Sequence, residues 1–431
     1  MLLEFKTKNY KSFANELTFS MMPVPRQKGL DYSIQSTKIG SKVYNSLSSS
    51  IVYGPNASGK TNIIGAMDTM KAIVLRGNIN NSEMFYSPNM ASTNLELIPN
   101  CDVVGEPTEF SISFIEKDLF VEYSFAIDLG SFLNKDYDRK IIFEKLSVNE
   151  KLVFLRNDQL EVNLPSKIKE YTNSSIKRKT PKILELAKNS LDSKELFLTN
   201  GFKSIFATGL VSLITNWFRN KFQVIYRSDL IKSSRETNDS NKNIFYLEKT
   251  LTDAAKAFGI ASNGLGYKSD DDDNELYSVF KDKNILIPAE LFESYGTIRF
   301  INEFPLFVNA LVNGGTLVVD EFDASIHPMA IMNLINIFHN DEININKAQF
   351  IFNTHNPIFL NSDLFRRDEI NFVERDDESH SSTHYRLSDF KTADGVRNGE
   401  DYMKNYFVNR YGAIKNIDFS PIIESILKKG E

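Results

Sequence analysis

A short run, Gly54-Pro55-Asn56-Ala57-Ser58-Gly59-Lys60-Thr61, stands between two segments of different periodicity. Ser50–Tyr53 ahead of it has the composition of a strand, while Thr61–Leu75 behind it carries Ile63, Ile64, Met67 and Ile73 at helical spacing. The run satisfies G-x-x-x-x-G-K-[ST] and stands where that pattern has physical meaning, after a strand and ahead of a helix. Its glycines let the backbone curl around an anion, so that successive N–H groups and the helix N-terminus converge on phosphate. Gly54, Pro55, Asn56, Ala57, Ser58, Gly59, Lys60, Thr61 and Asn62 are therefore the candidate nucleotide-binding residues. Lys60 is expected to reach the β- and γ-phosphates of ATP, and the Thr61 hydroxyl to ligate Mg²⁺.

Such a loop needs a second, acidic site. Thr316-Leu317-Val318-Val319-Asp320-Glu321 supplies it, an apolar strand ending in two adjacent acids. Asp320 is expected to hold Mg²⁺ and Glu321 to polarise the attacking water. His355 follows the next apolar strand, Gln349–Asn353. In an open parallel sheet ligands gather at the carboxyl ends of the strands, which places His355 on the same edge as Lys60 and Glu321. The other histidines, His327, His339, His380 and His384, have no comparable placement and read as structural or exposed.

Composition narrows the setting. In 431 residues, 42% apolar and 25% charged side chains allow a sizeable core, in one large domain with an insertion or in two domains. A net charge of −6 argues against a generally basic nucleic-acid surface, though a local patch is compatible with it. The single cysteine, Cys101, leaves no intramolecular disulfide and no cysteine metal cage, which suits a reducing cytoplasm. The N-terminal residues are charged from Glu4 onward and lack the apolar run of a signal peptide. No stretch approaches the roughly 18 apolar residues of a membrane span, so a soluble, cytoplasmic protein is expected.

Residues 2–8 and 16–20 alternate as short strands, and residues 108–156 form a run of antiparallel strands with a hairpin tip at Asn149–Glu150. From about 165 to 285 apolar residues recur every three or four positions, as in Phe206–Phe218, and a helical insertion is expected. Within it Ser233–Asn243 and Tyr267–Asn274 read as loops, the second holding the solvated acidic run Asp270–Asp273. Pro328–His339 reads as a helix opened by its proline, and strand, helix, strand in that order indicate a buried parallel sheet. Glu369–Glu374 and Thr383–Leu387 pair as a terminal hairpin, followed by helical segments at Gly399–Tyr406 and Ile422–Leu427.

The wide separation of Lys60 from Asp320, with His355 one strand later, resembles the ABC-type ATPase heads of the SMC/RecF/OLD group. The opening Leu3-Glu4-Phe5 and Asn9 to Lys11-Ser12-Phe13 are similar to the start of those proteins. That resemblance implies a signature segment at a helix N-terminus, for which Glu293-Ser294-Tyr295-Gly296-Thr297, leading into Ile298–Val312, is the candidate. Ser294 and Gly296 would there bind a γ-phosphate presented by a second subunit. The segment departs from the usual Leu-Ser-Gly-Gly form, and an ordinary helix cap has the same pattern. Asp323, in Asp323-Ala324-Ser325, would touch the partner across the dimer. No glutamine matches the Q-loop of transporter ATPases.

A closer resemblance is to small ATP-binding proteins of bacterial abortive-infection, anti-phage operons. It rests on the N-terminal Met1–Phe5 pattern, Asp320–Pro328, Asn353–Pro357 and Tyr406–Ile414, and covers roughly residues 1–165 and 285–415. These resemblances imply an α/β P-loop NTPase with an ABC-type head, a mixed sheet plus antiparallel strands, built from residues 1–165 and 285–431. A helical insertion, 166–284, would project from it. They imply ATP hydrolysis with Mg²⁺ in a homodimer or higher homo-oligomer, acting as sensor or regulator of a separately encoded effector such as a nuclease. No membrane is involved, and nucleic-acid contact stays open. The alternative is a RecF/SMC-like ATPase acting on DNA in repair or maintenance. A transporter subunit, or a chain that binds ATP without hydrolysing it, fits the missing Q-loop and the intact Asp320–Glu321 pair less well.

Overall fold

The computed structural model describes residues 1–25, 27, 29–80, 95–131, 137–173, 181–226, 236–239, 244–247, 249–260, 264–270, 273–280, 285–390, 400–415 and 417–428. Alternation in the first residues builds β1 (Leu2–Lys8) and β2 (Leu17–Ser20), and β3 (Ile34–Ile39) pairs with β4 (Lys42–Leu47) as a separate hairpin. The strand β5 (Ser49–Tyr53) feeds the glycine-containing loop and helix α1 (Lys60–Arg76). Then come β6 (Thr108–Glu116), β7 (Leu119–Asp128), β8 (Lys140–Val148), β9 (Lys151–Arg156) and β10 (Leu160–Val162). With β1 and β2 they form an antiparallel sheet in the order β10-β9-β8-β7-β6-β1-β2. Its β8–β9 turn places both Asn149 and Glu150 at positive φ, as a two-residue hairpin turn requires.

A second sheet carries the phosphate loop. Its order is β11-β17-β18-β5-β19-β20, from β11 (Phe222–Ile225), β17 (Thr316–Val319), β18 (Gln349–Asn353), β19 (Ile370–Arg375) and β20 (Ser382–Arg386). Neighbours are parallel except the β19–β20 hairpin at the edge. Both faces of this sheet are covered, which is why its strands read as continuous apolar runs. Val52, Val318, Ile351 and Val373 point toward α1 and the antiparallel sheet. Ile51, Leu317, Val319, Phe350, Phe352 and Phe372 point the other way, onto α5 (Tyr295–Asn313) and α6 (Pro328–His339). Phe307 of α5 sits 5.0 Å from the Phe350 ring, and Phe338 of α6 5.4 Å from it. Each such buried ring contributes on the order of 2 kcal/mol through the water it excludes.

Residues 166–284 differ from the helical, projecting insertion that the sequence suggests. Their first half is helical, in α2 (Pro181–Asn189) and α3 (Thr208–Asn216). It is embedded rather than projecting: Trp217 stacks on Phe114 of β6 at 3.8 Å, and Phe197, Phe202 and Phe206 join the same core. After β11 the chain turns to β structure. Strands β12 (Glu236–Asp239), β13 (Ile244–Leu247), β14 (Gly264–Asp270), β15 (Asp273–Phe280) and β16 (Ile285–Pro288) form an antiparallel sheet in that order, with α4 (Lys249–Phe258) between β13 and β14. The expected loop at Tyr267–Asn274 is the β14–β15 hairpin, with Asp270 paired to Asp273 and its tip outside the described residues. The expected loop at Ser233–Asn243 contains β12, its remainder lying outside the described residues. The chain closes with α7 (Tyr402–Phe407) and α8 (Ser420–Leu427). Among the described residues no helix is long and apolar enough to cross a membrane.

Candidate nucleotide site

The loop between β5 and α1 owes its shape to residues that tolerate a left-handed backbone and close neighbours. Ala57 and Gly59 stand at φ 62° and 110°. A Cβ on Gly59 would lie 2.6 Å from Ser382 Oγ and 2.7 Å from Ser12 Oγ, and one on Gly54 would lie 2.3 Å from Val373 O. The loop is thus pressed against β19, β20 and the Lys11-Ser12-Phe13 turn. Ser382 Oγ donates to Ser58 O at 2.6 Å, Ser382 N–H to Ser12 O at 2.7 Å, and Asn62 Nδ2 to Ser12 Oγ at 2.8 Å. Ser12 and Ser382 hold the loop's conformation; Ser382 had no signal in the sequence, whereas Ser12 lay within the quoted opening.

Lys60 is buried, and its ammonium donates to Gly54 O at 2.8 Å and Pro55 O at 3.0 Å, spanning the loop. Burial holds its pKa down to about 8, and the carboxylates of Glu321, Asp320 and Asp323 offset part of that cost. A polyphosphate would restore a full counter-charge. Ser58 Oγ is buried without a hydrogen-bond partner inside the same loop, which fits a ligand with acceptor oxygens.

The acids arrive on β17, whose parallel neighbour β18 fixes them. Thr61 Oγ1 donates to Asp320 Oδ1 at 3.1 Å, bringing together the two residues expected to hold Mg²⁺. A hydroxyl and one carboxylate suit an ion that keeps several waters and takes the rest of its ligands from phosphate oxygens. No cluster of three or more His, Cys, Asp or Glu that could hold a metal occurs among the described residues. Asn353, at the end of β18, donates from Nδ2 to Asp320 Oδ1 at 2.6 Å, and its Oδ1 accepts the Glu321 N–H. Glu321 is exposed and sits at φ 49°, a left-handed conformation unusual for its residue type. Its peptide is gripped from the other side too, because Arg299 Nη2 donates to Glu321 O at 2.7 Å and Nη1 to Ala324 O at 3.2 Å. Arg299 is itself buried on α5 and paired with Glu303 at 3.0 Å. Arg299 was not singled out by the sequence; Asn353 stood within the Asn353–Pro357 pattern but carried no role of its own there.

His355 lies exposed on the same edge, close enough to feel both the Lys60 ammonium and the Glu321 carboxylate. The residue's surface is open, but its ring is partly shielded from water, and that shielding, then the Lys60 charge, hold the imidazole below the ordinary range, so the ring is neutral at pH 7. The residue before it, Thr354, donates from Oγ1 to Asp323 Oδ2 at 2.5 Å. That turns Asp323 inward, and burial pushes its carboxyl up.

The Ser294–Thr297 segment is brought to the same turn within one chain. Ser294 caps α5, accepting the Thr297 N–H at 3.1 Å, and remains exposed. Gly296 is buried rather than presented at the surface: a Cβ there would lie 1.9 Å from Ser325 O. The late Tyr406–Ile414 pattern straps the chain onto β19 and β20. Tyr385 Oη donates to Tyr411 O at 2.7 Å, Tyr406 Oη to Ala413 O at 2.8 Å, and Glu374 accepts the Ala413 N–H.

No curated protein matches the chain. A family model described as "AAA domain, putative AbiEii toxin, Type IV TA system" matches residues 49–361, from the strand ahead of the phosphate loop to just past His355. The match takes in most of the sequence and every strand that carries the site's acids and loop, so the chain belongs to this AAA-domain family of P-loop ATPases.

Proposed function

We propose that this chain is an ABC-type switch ATPase, related to the SMC/RecF/OLD group, that regulates a separate effector in a bacterial anti-phage system. The observation that carries the reading is the convergence of Lys60, Thr61, Asp320, Glu321 and His355 on one edge of a parallel sheet. The backbone N–H groups of residues 57–61 would hold ATP phosphates, with the Lys60 ammonium leaving the carbonyls of Gly54 and Pro55 to meet them. Thr61 and Asp320 would hold Mg²⁺, which neutralises phosphate charge when bound. Glu321 would accept a proton from the attacking water, its backbone held by Asn353 and Arg299. Neutral His355 would donate a hydrogen bond toward the γ-phosphate side.

Two chains would complete two sites. The exposed Ser294–Tyr295 cap and the Ser325 turn would face the partner, while Gly296 and Asp323 shape that face from within. Closing and reopening of the heads would follow nucleotide state. The family's association with a toxin–antitoxin system supports a defence setting. The test is to purify the tagged chain from its own host with ATP and without. A stoichiometric second protein whose association changes with nucleotide is expected. Recovery of the chain alone in both states contradicts the effector assignment.

A further inference from the structure

The chain leaves the nucleotide edge through its C-terminal segment, which ends in a helix with nothing packed beneath it. Ala413–Lys415 is fixed beside the phosphate loop. Glu374 accepts the Ala413 N–H, and the Lys415 ammonium donates to Asp377 Oδ1 at 2.7 Å. Ala413, Lys415 and Pro55 line one cleft of about 550 Å³. Ser420 opens α8 five residues after Lys415, so the helix starts within about 18 Å of chain from that wall.

α8 buries none of its own residues. Phe419, Ile422, Ile423, Ile426 and Leu427 recur at three- and four-residue steps and form one stripe, each between 54% and 68% exposed. Ser420, Glu424 and Lys428 take the other side, where the Lys428 ammonium lies 3.7 Å from the Glu424 carboxylate. Eight residues make a marginal helix in water by themselves, and so large an apolar stripe on so short an element marks a contact face.

A second apolar patch surrounds the Ser294 cap. Leu291 is 80% exposed, Phe292 42% and Tyr295 58%, carried by the helical turn Ala289–Phe292 and the first turn of α5. Stripe and patch are both open to solvent within one chain. In the two-chain site, the Ser294 cap of one copy faces the phosphate loop of the other. The patch of the first copy then stands on the side from which α8 of the second departs.

We propose that α8 is a clasp between two copies of this chain, its apolar stripe seated on Leu291, Phe292 and Tyr295 of the second copy. The proposal rests on the two-chain reading of the nucleotide site and adds the surface that holds the copies together. A two-fold pair makes the contact twice. At ~80 Å² of apolar surface per side chain, the stripes and patches of both copies remove on the order of 1,300 Å² from water, within the range of a specific interface.

The experiment keeps the full chain and uses Glu321→Gln with ATP and Mg²⁺, where the two-chain reading expects a stable dimer. Sedimentation reads the dissociation constant after adding Ile423→Asp with Ile426→Asp, and separately after adding Leu291→Asp. All three positions are exposed, and thermal melting confirms that each variant folds. Each change should weaken the dimer about tenfold or more. Copy identity is read with a short bismaleimide in a Cys101→Ser background, because Cys101 is itself exposed. One preparation carries Ile423→Cys and a second Leu291→Cys, so that after mixing these positions can be joined only between different copies. An ATP-dependent link between positions 423 and 291 is expected. A dimer whose affinity ignores the aspartates, or copies joined only through position 423 to position 423, overturns the clasp and leaves the two-chain site standing. If Glu321→Gln with α8 intact forms no ATP-dependent dimer, the two-chain reading itself fails, and the clasp fails with it.

Discussion

Asn353 Nδ2 donates to Asp320 Oδ1 at 2.6 Å while the oxygen of the same side chain receives the Glu321 N–H. One buried amide therefore orients both a metal-binding candidate and a candidate base. Asn353→Ala should lower phosphate release by about 100-fold, as loss of a single positioning group in a preorganised site does. Nucleotide affinity should change by less than about tenfold, since the phosphate loop is untouched. Turnover and equilibrium binding measured on the same preparation check this. Parallel loss of both would mean that Asn353 only supports the fold.

Gly296 and Ser294 sit two residues apart and should respond differently. Ser294→Ala removes a helix cap and should cost about 1 kcal/mol of stability. Gly296→Ala drives a Cβ into Ser325 O, so the turn after Glu321 must shift. A cost of about 2 kcal/mol or more, with a fall in turnover, is expected from overpacking against backbone. Denaturant melts and phosphate release distinguish the pair.

The buried Arg299–Glu303 pair ties α5 to the Glu321 peptide. Arg299→Met should destabilise by about 3–5 kcal/mol, because removing one partner leaves a buried charge behind. Arg299→Met with Glu303→Leu should recover most of that stability, yet turnover should stay low because the grip on Glu321 O and Ala324 O is gone. Full recovery of turnover in the double variant would show that the grip is dispensable.

Lys60 supplies a pH test. Its pKa in the nucleotide-free fold, about 8, lies below the ordinary 10.5, so between these values the unfolded chain binds more protons. Its contribution to stability should rise as pH rises through that window, and its full cost, of order 1–3 kcal/mol, should be present below pH 8. Lys60→Met should be more stable than wild type at pH 7 without nucleotide, by a margin that shrinks toward pH 10.5, while losing nucleotide binding. Urea unfolding of both proteins across this range reads the difference, and a constant difference contradicts it.

The parts of the site legible in the sequence were those set by local order. Strand, glycine loop and helix follow one another around Lys60, and Asp320 and His355 each end an apolar strand; the sheet brings their ends to one edge. What pairing across the sequence creates was not legible. The β14–β15 hairpin reads as a polar loop because its residues become strand only by hydrogen bonding to each other and to β13 and β16. The docking of the helical segments of 166–284 through Trp217 onto Phe114 depends on a partner about a hundred residues away. Arg299 has no motif at all, since the carbonyls it holds belong to a turn that α5 meets only in the fold.

Glu321→Gln, given ATP and Mg²⁺ and followed by phosphate release and solution mass together, probes both the hydrolytic base and the two-chain site. Turnover should fall by at least about 100-fold, with ATP binding kept and a stable, ATP-dependent higher-order species gained. Turnover that survives the substitution, with a mass indifferent to ATP, would contradict both the base assigned to Glu321 and the two-chain site.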